Sequence, residues 1–132
     1  MTSPSMGVES ILKSPVWTTV PRPVAALLAL PQPPTCILFP DDFSAIGGLN
    51  TIAAAGLRVP DDISVAGYDG IYLSQTMSPR LTTYRQDTAA LGRTAAARLI
   101  ELIEKPRTTV MDRTVVTGAL LPGGTVASPR TE

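Results

Sequence analysis

The feature that most constrains the fold is an alternation between short apolar runs and segments with a helical spacing of apolar residues. The runs 35–39 (TCILF) and 63–67 (ISVAG) have the length of strands, and 81–84 reads as extended. Residues 44–55 and 88–104 instead repeat apolar residues every three or four positions, which is typical of helices. Because strands separated by helices pair in parallel, this order predicts an α/β fold with a parallel sheet covered on both faces.

The two ends of the chain lack this order. Residues 1–23 contain four prolines, which interrupt helical patterns, so we expect an irregular N-terminal extension there. Residues 24–30 (VAALLAL) are typical of the last turns of a helix, and residues 110–121 alternate weakly, which predicts one or two further strands. We therefore expect one domain over residues 24–128, followed by a short tail at 129–132.

The composition excludes several classes of chemistry. The 132 residues include no histidine and one cysteine, which excludes Ser-His-Asp triads, Cys-His nucleophiles, histidine-containing metal sites and an internal disulfide. No nucleophile–base pair, phosphate loop or metal cluster is recognisable, so we expect neither an enzyme nor a metal or cofactor site. The 11 basic and 11 acidic residues balance, which argues against a DNA-binding surface on this chain. No apolar run approaches the roughly 20 residues of a membrane span and no signal peptide is recognisable, so we expect a cytoplasmic protein.

Acidic residues follow the first two predicted strands. Asp41 and Asp42 come directly after the first strand, and Asp69 comes directly after the second. Ligands of parallel sheets bind outside the carboxyl ends of the strands, so these carboxylates are candidates for contact with a small molecule. Each of them can also be a turn residue, and we expect Asp42 to cap the helix that follows. Cys36, inside the first apolar run, is expected to be a buried thiol.

Four ordered segments carry a resemblance to a known family. They begin with PTCI and the DD that follows it, and continue with GLRVPDDISVAGYD, SPRLTTYRQD and LGRTAAARLIELIE. Together they resemble the sensor domain of the LacI/GalR family of bacterial transcriptional regulators. The resemblance implies the C-terminal part of that domain: a partial Rossmann-like parallel sheet with flanking helices, forming one incomplete subdomain of a periplasmic-binding-protein-like fold. In the family, two subdomains close over a small effector, often a sugar or a nucleobase, and a helix-turn-helix headpiece binds operator DNA as a dimer.

The resemblance also implies roles for individual residues. Three polar residues match positions at the family's effector site: Asp69, Asp41 and Gln86. Four apolar residues fall in segments that form the family's dimer interface: Ile46, Leu49, Leu73 and Met77. Other readings stay open, because Asp41 can be a solvated turn residue, Gln86 a polar residue at a helix entry, and Ile46 and Leu49 part of the core.

The resulting hypothesis is an effector-sensing and dimerisation portion of a LacI-type DNA-binding transcriptional regulator. It would meet operator DNA only through a headpiece that this sequence does not contain, and it would have no membrane partner. Two alternatives remain open: a truncated remnant without independent activity, and a solute-binding protein for sugars, which would need export.

Overall fold

Eight helices and strands make up the part of the chain that the computed structural model describes, residues 20–108 and 112–129. In chain order they are α1 (Pro21–Leu28), β1 (Cys36–Leu38), α2 (Asp42–Ala54), β2 (Ser64–Asp69), α3 (Tyr72–Thr76), β3 (Thr82–Arg85), α4 (Thr88–Glu104) and β4 (Ala119–Leu121). The strands β1, β2 and β3 pair in parallel in that order, and β4 pairs antiparallel with β3. The predicted α/β fold with a mostly parallel sheet is confirmed.

Most predicted elements are present, with boundaries that differ by a few residues. α4 spans 88–104 as predicted, whereas α2 begins two residues before the predicted 44–55 segment. The expectation of one or two strands over 110–121 is met only by β4, because residues 112–118 have no regular structure and 109–111 lie outside the described residues. The short helix α3 was not expected, since five residues are too few to show a helical period.

The predicted C-terminal boundary of the irregular N-terminal segment, residue 23, is wrong. Helix α1 begins at Pro21, so both Pro21 and Pro23 lie in its first turn. Proline is tolerated there because the first N–H groups of a helix have no intrahelical partner. Val24 of α1 is buried and the side chain of Val20 lies against Gly47 of α2, so α1 belongs to the packed domain. The remainder of the expected extension, residues 1–19, lies outside the described residues.

The hydrophobic core lies between α2 and one face of the sheet. Its buried apolar side chains are Val24, Ile37, Phe39, Ala45, Ile52, Ile63, Val65 and Leu81. Gly48 allows α2 to approach the sheet closely, because a Cβ at this position would clash with the ring of Phe39. The close approach places the N-terminus of α2 beside the carboxyl ends of the strands.

Asp41, and not Asp42, is the N-cap of α2. Its Oδ1 accepts a hydrogen bond from the backbone N–H of Ser44 at 2.7 Å, and its Oδ2 accepts one from the Ser44 hydroxyl at 2.8 Å. The prediction that Asp42 is the cap is wrong, because Asp41 has the extended backbone that a cap requires whereas Asp42 is the first helical residue. The preference of the helix N-terminus for negative charge favours both carboxylates.

The turn before β2 is closed by side chains of the GLRVPDDISVAGYD segment. Asp62 accepts hydrogen bonds from the backbone N–H of Arg58 at 2.8 Å and from its Nε at 2.9 Å. The hydrogen bond and the charge of Asp62 together raise the pKa of Arg58 above its ordinary value. This turn lies at the amino end of β2, away from the carboxyl ends of the strands.

The chain after β4 is inserted between the amino ends of β2 and β3. The fully buried hydroxyl of Thr125 donates to the Val65 carbonyl at 2.7 Å and accepts from the Thr82 N–H at 2.9 Å. The Val65 N–H in turn donates to the Thr125 carbonyl at 2.8 Å. The segment after Leu121 therefore closes the sheet at the edge opposite to the carboxyl ends of the parallel strands.

The second face of the sheet is not covered by any described helix. Leu38 is 75% exposed, and Tyr68, whose ring stacks on that of Tyr84 with centroids 5.6 Å apart, is also exposed. Cys36 lies on this face and is exposed, so the prediction of a buried thiol is wrong. The expectation of a sheet covered on both faces is also wrong within the described residues, because α1 and α2 both lie on the core side.

Helix α4 has an apolar stripe but no buried residue. Ile103 is 70% exposed, and Leu99 and Ile100 are also more than half exposed. The periodicity that predicted this helix was therefore correct about its conformation, although no described part of the chain packs against the stripe closely enough to bury it.

We predict that the core and α4 respond very differently to truncation. Ile52→Ala should lower the free energy of unfolding by about 2–5 kcal/mol, because it leaves a cavity at a fully buried position. Ile103→Ala should change it by no more than about 0.5 kcal/mol, since the side chain is exposed. Urea unfolding followed by circular dichroism measures both, and a comparable loss in the two variants would contradict the described packing.

We also predict that helix α2 remains capped when Asp41 is replaced by asparagine, and loses its cap when Asp41 is replaced by alanine. Asp41→Ala should lower the free energy of unfolding by about 0.5–2 kcal/mol, whereas Asp41→Asn should retain most of it, because asparagine caps helices about as well as aspartate. The same urea experiment measures the difference, with Asp61→Ala as the control at an exposed aspartate outside the cap. Equal losses in the Asn and Ala variants would rule out the capping role.

Candidate functional site

The carboxyl ends of the three parallel strands meet at one edge of the sheet, here called the effector edge because the residues predicted to contact an effector lie at the ends of these strands. Asp41 follows β1, Asp69 is the last residue of β2, and Gln86 follows β3. The parallel pairing of Asp69 with Arg85 places the ends of β2 and β3 side by side. All three residues expected to contact an effector thus lie at the edge where open α/β sheets bind their ligands.

Asp69 and Gln86 are in direct contact at this edge. The Gln86 Nε2 donates to the Asp69 Oδ1 at 2.5 Å, and the Gln86 backbone N–H donates to the Asp69 carbonyl at 3.3 Å. The Asp69 side chain is partly buried, and among the described residues its second carboxylate oxygen has no hydrogen-bond donor. The pair therefore offers a fixed, partly shielded acceptor to a ligand hydroxyl or amine.

The backbone at Asp69 is held in an uncommon conformation. Asp69 has a φ of 107° and Gly70 a φ of 69°, so the chain turns sharply at the end of β2. Gly70 is needed for the turn because a Cβ there would clash with Arg85 as well as meet the unfavourable φ. A non-glycine residue with positive φ is strained, and such strain is frequent at binding sites.

Asp41 is already hydrogen-bonded to the first turn of α2, and its predicted contact with an effector stays a prediction. Both of its carboxylate oxygens accept hydrogen bonds from Ser44, one from the backbone and one from the hydroxyl. The structure therefore gives Asp41 a role as the α2 cap at the effector edge, and brings only Asp69 and Gln86 together.

A cavity of about 370 Å³ opens beside Gln86. Its walls come from the end of β3, the first turn of α4 and the chain entering β4: Arg85, Gln86, Asp87, Thr88, Ala89, Thr117, Gly118 and Ala119. The volume is in the range of small-molecule sites, and the lining combines a guanidinium, an amide, a carboxylate and two hydroxyls. This arrangement suits a small polar molecule with several hydroxyl groups.

Sequence reasoning missed the wall of the cavity formed by residues 117–119. The weak alternation over residues 110–121 does not indicate what this stretch packs against, and only the fold brings it next to β3, where the Gly118 N–H donates to the Tyr84 hydroxyl at 2.9 Å. Gly118 permits the approach, because a Cβ would clash with the Arg85 carbonyl. No local signal in the sequence could have identified these residues as neighbours of Gln86.

Sequence reasoning also missed the part played by Asp42, which is fully buried. Its Oδ1 accepts from the Thr83 hydroxyl at 2.5 Å, and its Oδ2 accepts from the Ile71 N–H at 2.9 Å. A signal was present, because Asp42 lies three positions before Ala45 and thus on the inward face of α2. Gly67 in the middle of β2 leaves the space that the carboxylate occupies.

A second cavity, of about 230 Å³, lies at the opposite edge of the sheet and is here called the distal groove. Its walls are the second half of α2, the turn before β2 and the chain before β3: Leu49, Asn50, Ala53, Leu57, Val59, Met77, Ser78, Pro79 and Thr125. Two of the four predicted dimer-interface residues, Leu49 and Met77, line this groove. Ile46 is partly buried in α2 and Leu73 is exposed on α3, and neither is among the residues that line the groove.

Residues 20–108 and 112–129 contain neither a cluster of metal ligands nor a membrane-spanning helix. No group of three or more histidine, cysteine, aspartate or glutamate residues is arranged to hold a metal ion there. None of the helices in this part of the chain combines the length and the apolar character that crossing a bilayer requires.

Comparison with known proteins agrees with this architecture. The sequence matches the family of periplasmic binding protein-like domains over residues 7–126. The probable HTH-type transcriptional repressor ExuR of Bacillus subtilis is 49% identical over 82 residues, which are 62% of this chain and 25% of the repressor. The match of the family begins within the segment that the sequence alone suggested to be an irregular extension.

Two solved structures show the same fold. A LacI family transcriptional regulator from Arthrobacter sp. FB24, in complex with lactose, superposes with a TM-score of 0.72 at 30% identity, over 84% of this chain and 41% of the regulator. The lac repressor dimer bound to operator and the anti-inducer ONPF superposes with a TM-score of 0.75 at 31% identity, over 84% of this chain and 38% of the repressor. The chain thus spans between a quarter and about two fifths of these relatives, and it belongs to the periplasmic-binding-protein-like domain family of LacI-type transcriptional regulators.

Proposed function

We propose that this chain is the effector-sensing and dimerisation portion of a LacI-type DNA-binding transcriptional regulator. The observation that carries the proposal is the Asp69–Gln86 pair at the carboxyl ends of β2 and β3, beside a polar cavity. The relatives are transcriptional regulators and not enzymes, and the arrangement supplies binding groups only.

The effector class follows from the groups at the effector edge. Asp69 offers a carboxylate acceptor, while Gln86, Thr88 and Thr117 offer amide and hydroxyl groups at the cavity. A polyhydroxylated molecule such as a sugar, or a nucleobase with several donors, matches such a set. The complex of the Arthrobacter regulator with lactose supports the sugar class for this chain.

The uncovered faces support a role inside a larger sensor domain. Within the described residues, the open side of the sheet and the unburied stripe of α4 leave apolar surface exposed, as expected for a part of a domain whose relatives are longer. We propose that operator DNA is contacted by other parts of the regulator, since this chain has no net charge, and that the regulator acts in the cytoplasm.

The distal groove is proposed as the dimer face. Leu49 and Met77 line it together with further apolar side chains, and the lac repressor relative is a dimer. Apolar grooves that a symmetric partner can fill are typical of homodimer interfaces.

Titration with sugars tests the effector site. Lactose, ribose and adenosine are added to the ¹⁵N-labelled chain, and we expect at least one to shift the amides of Asp69, Gln86 and Gly118. Asp69→Ala should weaken that binding about tenfold to a hundredfold, since hydrogen bonds to charged groups contribute about 1.5–3 kcal/mol. Asp61→Ala, at the other edge of the sheet, is the matched control and should leave binding unchanged. The site assignment fails if no ligand shifts these amides at millimolar concentration, or if Asp69→Ala binds as well as the parent chain.

Sedimentation equilibrium tests the dimer face. Met77→Asp should raise the dimer dissociation constant by at least about tenfold, because a carboxylate would be buried without a partner in an apolar interface. Val115→Asp introduces the same charge at an exposed apolar residue outside the groove and should have no effect. A chain that stays monomeric at all concentrations, or that responds equally to both changes, would contradict the assignment.

A further inference from the structure

Asp42 lies directly beneath the effector edge and touches neither the cavity nor solvent. It is the first residue of α2, and its two oxygens bind two other segments: Thr83 of β3 and Ile71, which begins the chain after β2. One carboxylate therefore joins a helix, a strand and a loop. It joins them two residues away from Asp69, in the stretch Asp69-Gly70-Ile71.

Because Asp42 is bonded to both Thr83 and Ile71, helix α2, strand β3 and the chain after β2 are expected to move together. Asp42 and Ser74 are fully buried and Thr83 is almost so, and Gly67 packs against the Asp42 carboxylate with no room for a Cβ. A buried carboxylate needs its hydrogen-bond partners, because an unpaired charge in the interior is costly. A change in the turn at Asp69 and Gly70 that moves the Ile71 N–H is therefore expected to move Asp42 as well.

Two segments run from this contact to the distal groove. Helix α2 extends from Asp42 for 13 residues, about 20 Å, and its second half provides Leu49, Asn50 and Ala53 to one wall of the groove. The chain from Ile71 passes through α3 and provides Met77, Ser78 and Pro79 to a second wall. Two of the three walls of the groove thus start at the hydrogen bond between Ile71 and Asp42.

We infer that Asp42 is a positioning residue that couples the effector edge to the distal groove, by tying the Asp69–Gly70 turn to helix α2 through the Ile71 N–H. The role of this link in sensing rests on the proposed function, since an effector bound at Asp69 would then alter the helix wall of the proposed dimer face. Asp42 itself touches no effector. The mechanical link can be measured without any ligand.

The sharpest variant removes only the donor of this hydrogen bond. Ile71 has a φ of −64°, which is the value that proline adopts, so Ile71→Pro deletes the N–H while keeping the backbone conformation. Ile71→Val is the matched control, because it trims the side chain and retains the N–H. In each background, Asp69→Asn serves as the perturbation at the effector edge, and ¹⁵N amide shifts are read at the groove.

In the Ile71→Pro background, the helix wall and the loop wall of the groove should respond differently to Asp69→Asn. In the parent chain and in Ile71→Val, Asp69→Asn should shift the amides of Asn50 and Ala53 on the helix wall and of Met77 on the loop wall. In Ile71→Pro, the shifts of Asn50 and Ala53 should fall by at least half while that of Met77 persists, because the loop wall remains covalently linked to the turn. A residue with a purely structural role would change both walls together.

Two further variants test the chemistry of the link. Asp42→Asn should preserve the response, since its amide oxygen can accept from Ile71 and its NH₂ can donate to the Thr83 hydroxyl. Thr83→Ser should also preserve it, because the hydroxyl that donates to Asp42 is retained. Loss of the helix-wall response in Asp42→Asn would overturn the proposal.

The parent chain alone keeps the inference falsifiable if Ile71→Pro does not fold. The proposal is overturned if Asp69→Asn leaves the Asn50 and Ala53 amides unshifted in the parent chain, or if Ile71→Pro and Ile71→Val respond equally. Failure of the sugar titration would count against the effector site and leave this result unaffected. If a ligand binds at Asp69 but Asp69→Asn does not shift the Asn50 and Ala53 amides, the effector site stands and only the coupling through Asp42 is overturned.

Discussion

The arrangement of the effector edge depends on the two hydrogen bonds that the buried carboxylate of Asp42 accepts from Thr83 and Ile71. This carboxylate holds the start of α2 against β3 and fixes the chain that leaves β2, so that the Asp69 turn has a defined position relative to the helix. Gly67 is required by the same contact, because the carboxylate occupies the space that a side chain would need. The helix N-terminus favours the negative charge, and the neighbouring cap by Asp41 satisfies the backbone N–H of Ser44.

Among residues 20–108 and 112–129, helices pack on one face of the sheet and leave the other face open. Parallel sheets are normally covered on both faces, because their strands are apolar on both sides. Here Leu38, Tyr68 and Leu120 are exposed, and α4 buries none of its residues within the described part of the chain. The relatives are two to four times as long as the matched region, in keeping with a sensor domain of which this chain is one portion.

Local patterns were sufficient to predict most of the fold. The strand-length runs before Asp41 and Asp69 and the period of α4 all depend on residues close in sequence, and each was confirmed. The misses have physical causes. Cys36 was expected to be buried because its neighbours are apolar, whereas its exposure depends on whether anything covers that face of the sheet. Pro21 and Pro23 suggested irregular chain, although the first turn of a helix accommodates proline.

The sequence by itself determined the order of the strands and the longer helices, the parallel pairing of β1 to β3 that follows from it, and the presence of acidic residues at the strand ends. These properties depend on hydrophobic period and chain connectivity, which are local. Only the tertiary structure decided what each acidic residue does: Asp41 caps α2, Asp42 is buried against Thr83 and Ile71, and Asp69 meets Gln86. Adjacent aspartates have the same chemistry, and their roles separate only because the first helical residue of α2 points into the core while the residue before it points to the helix N-terminus.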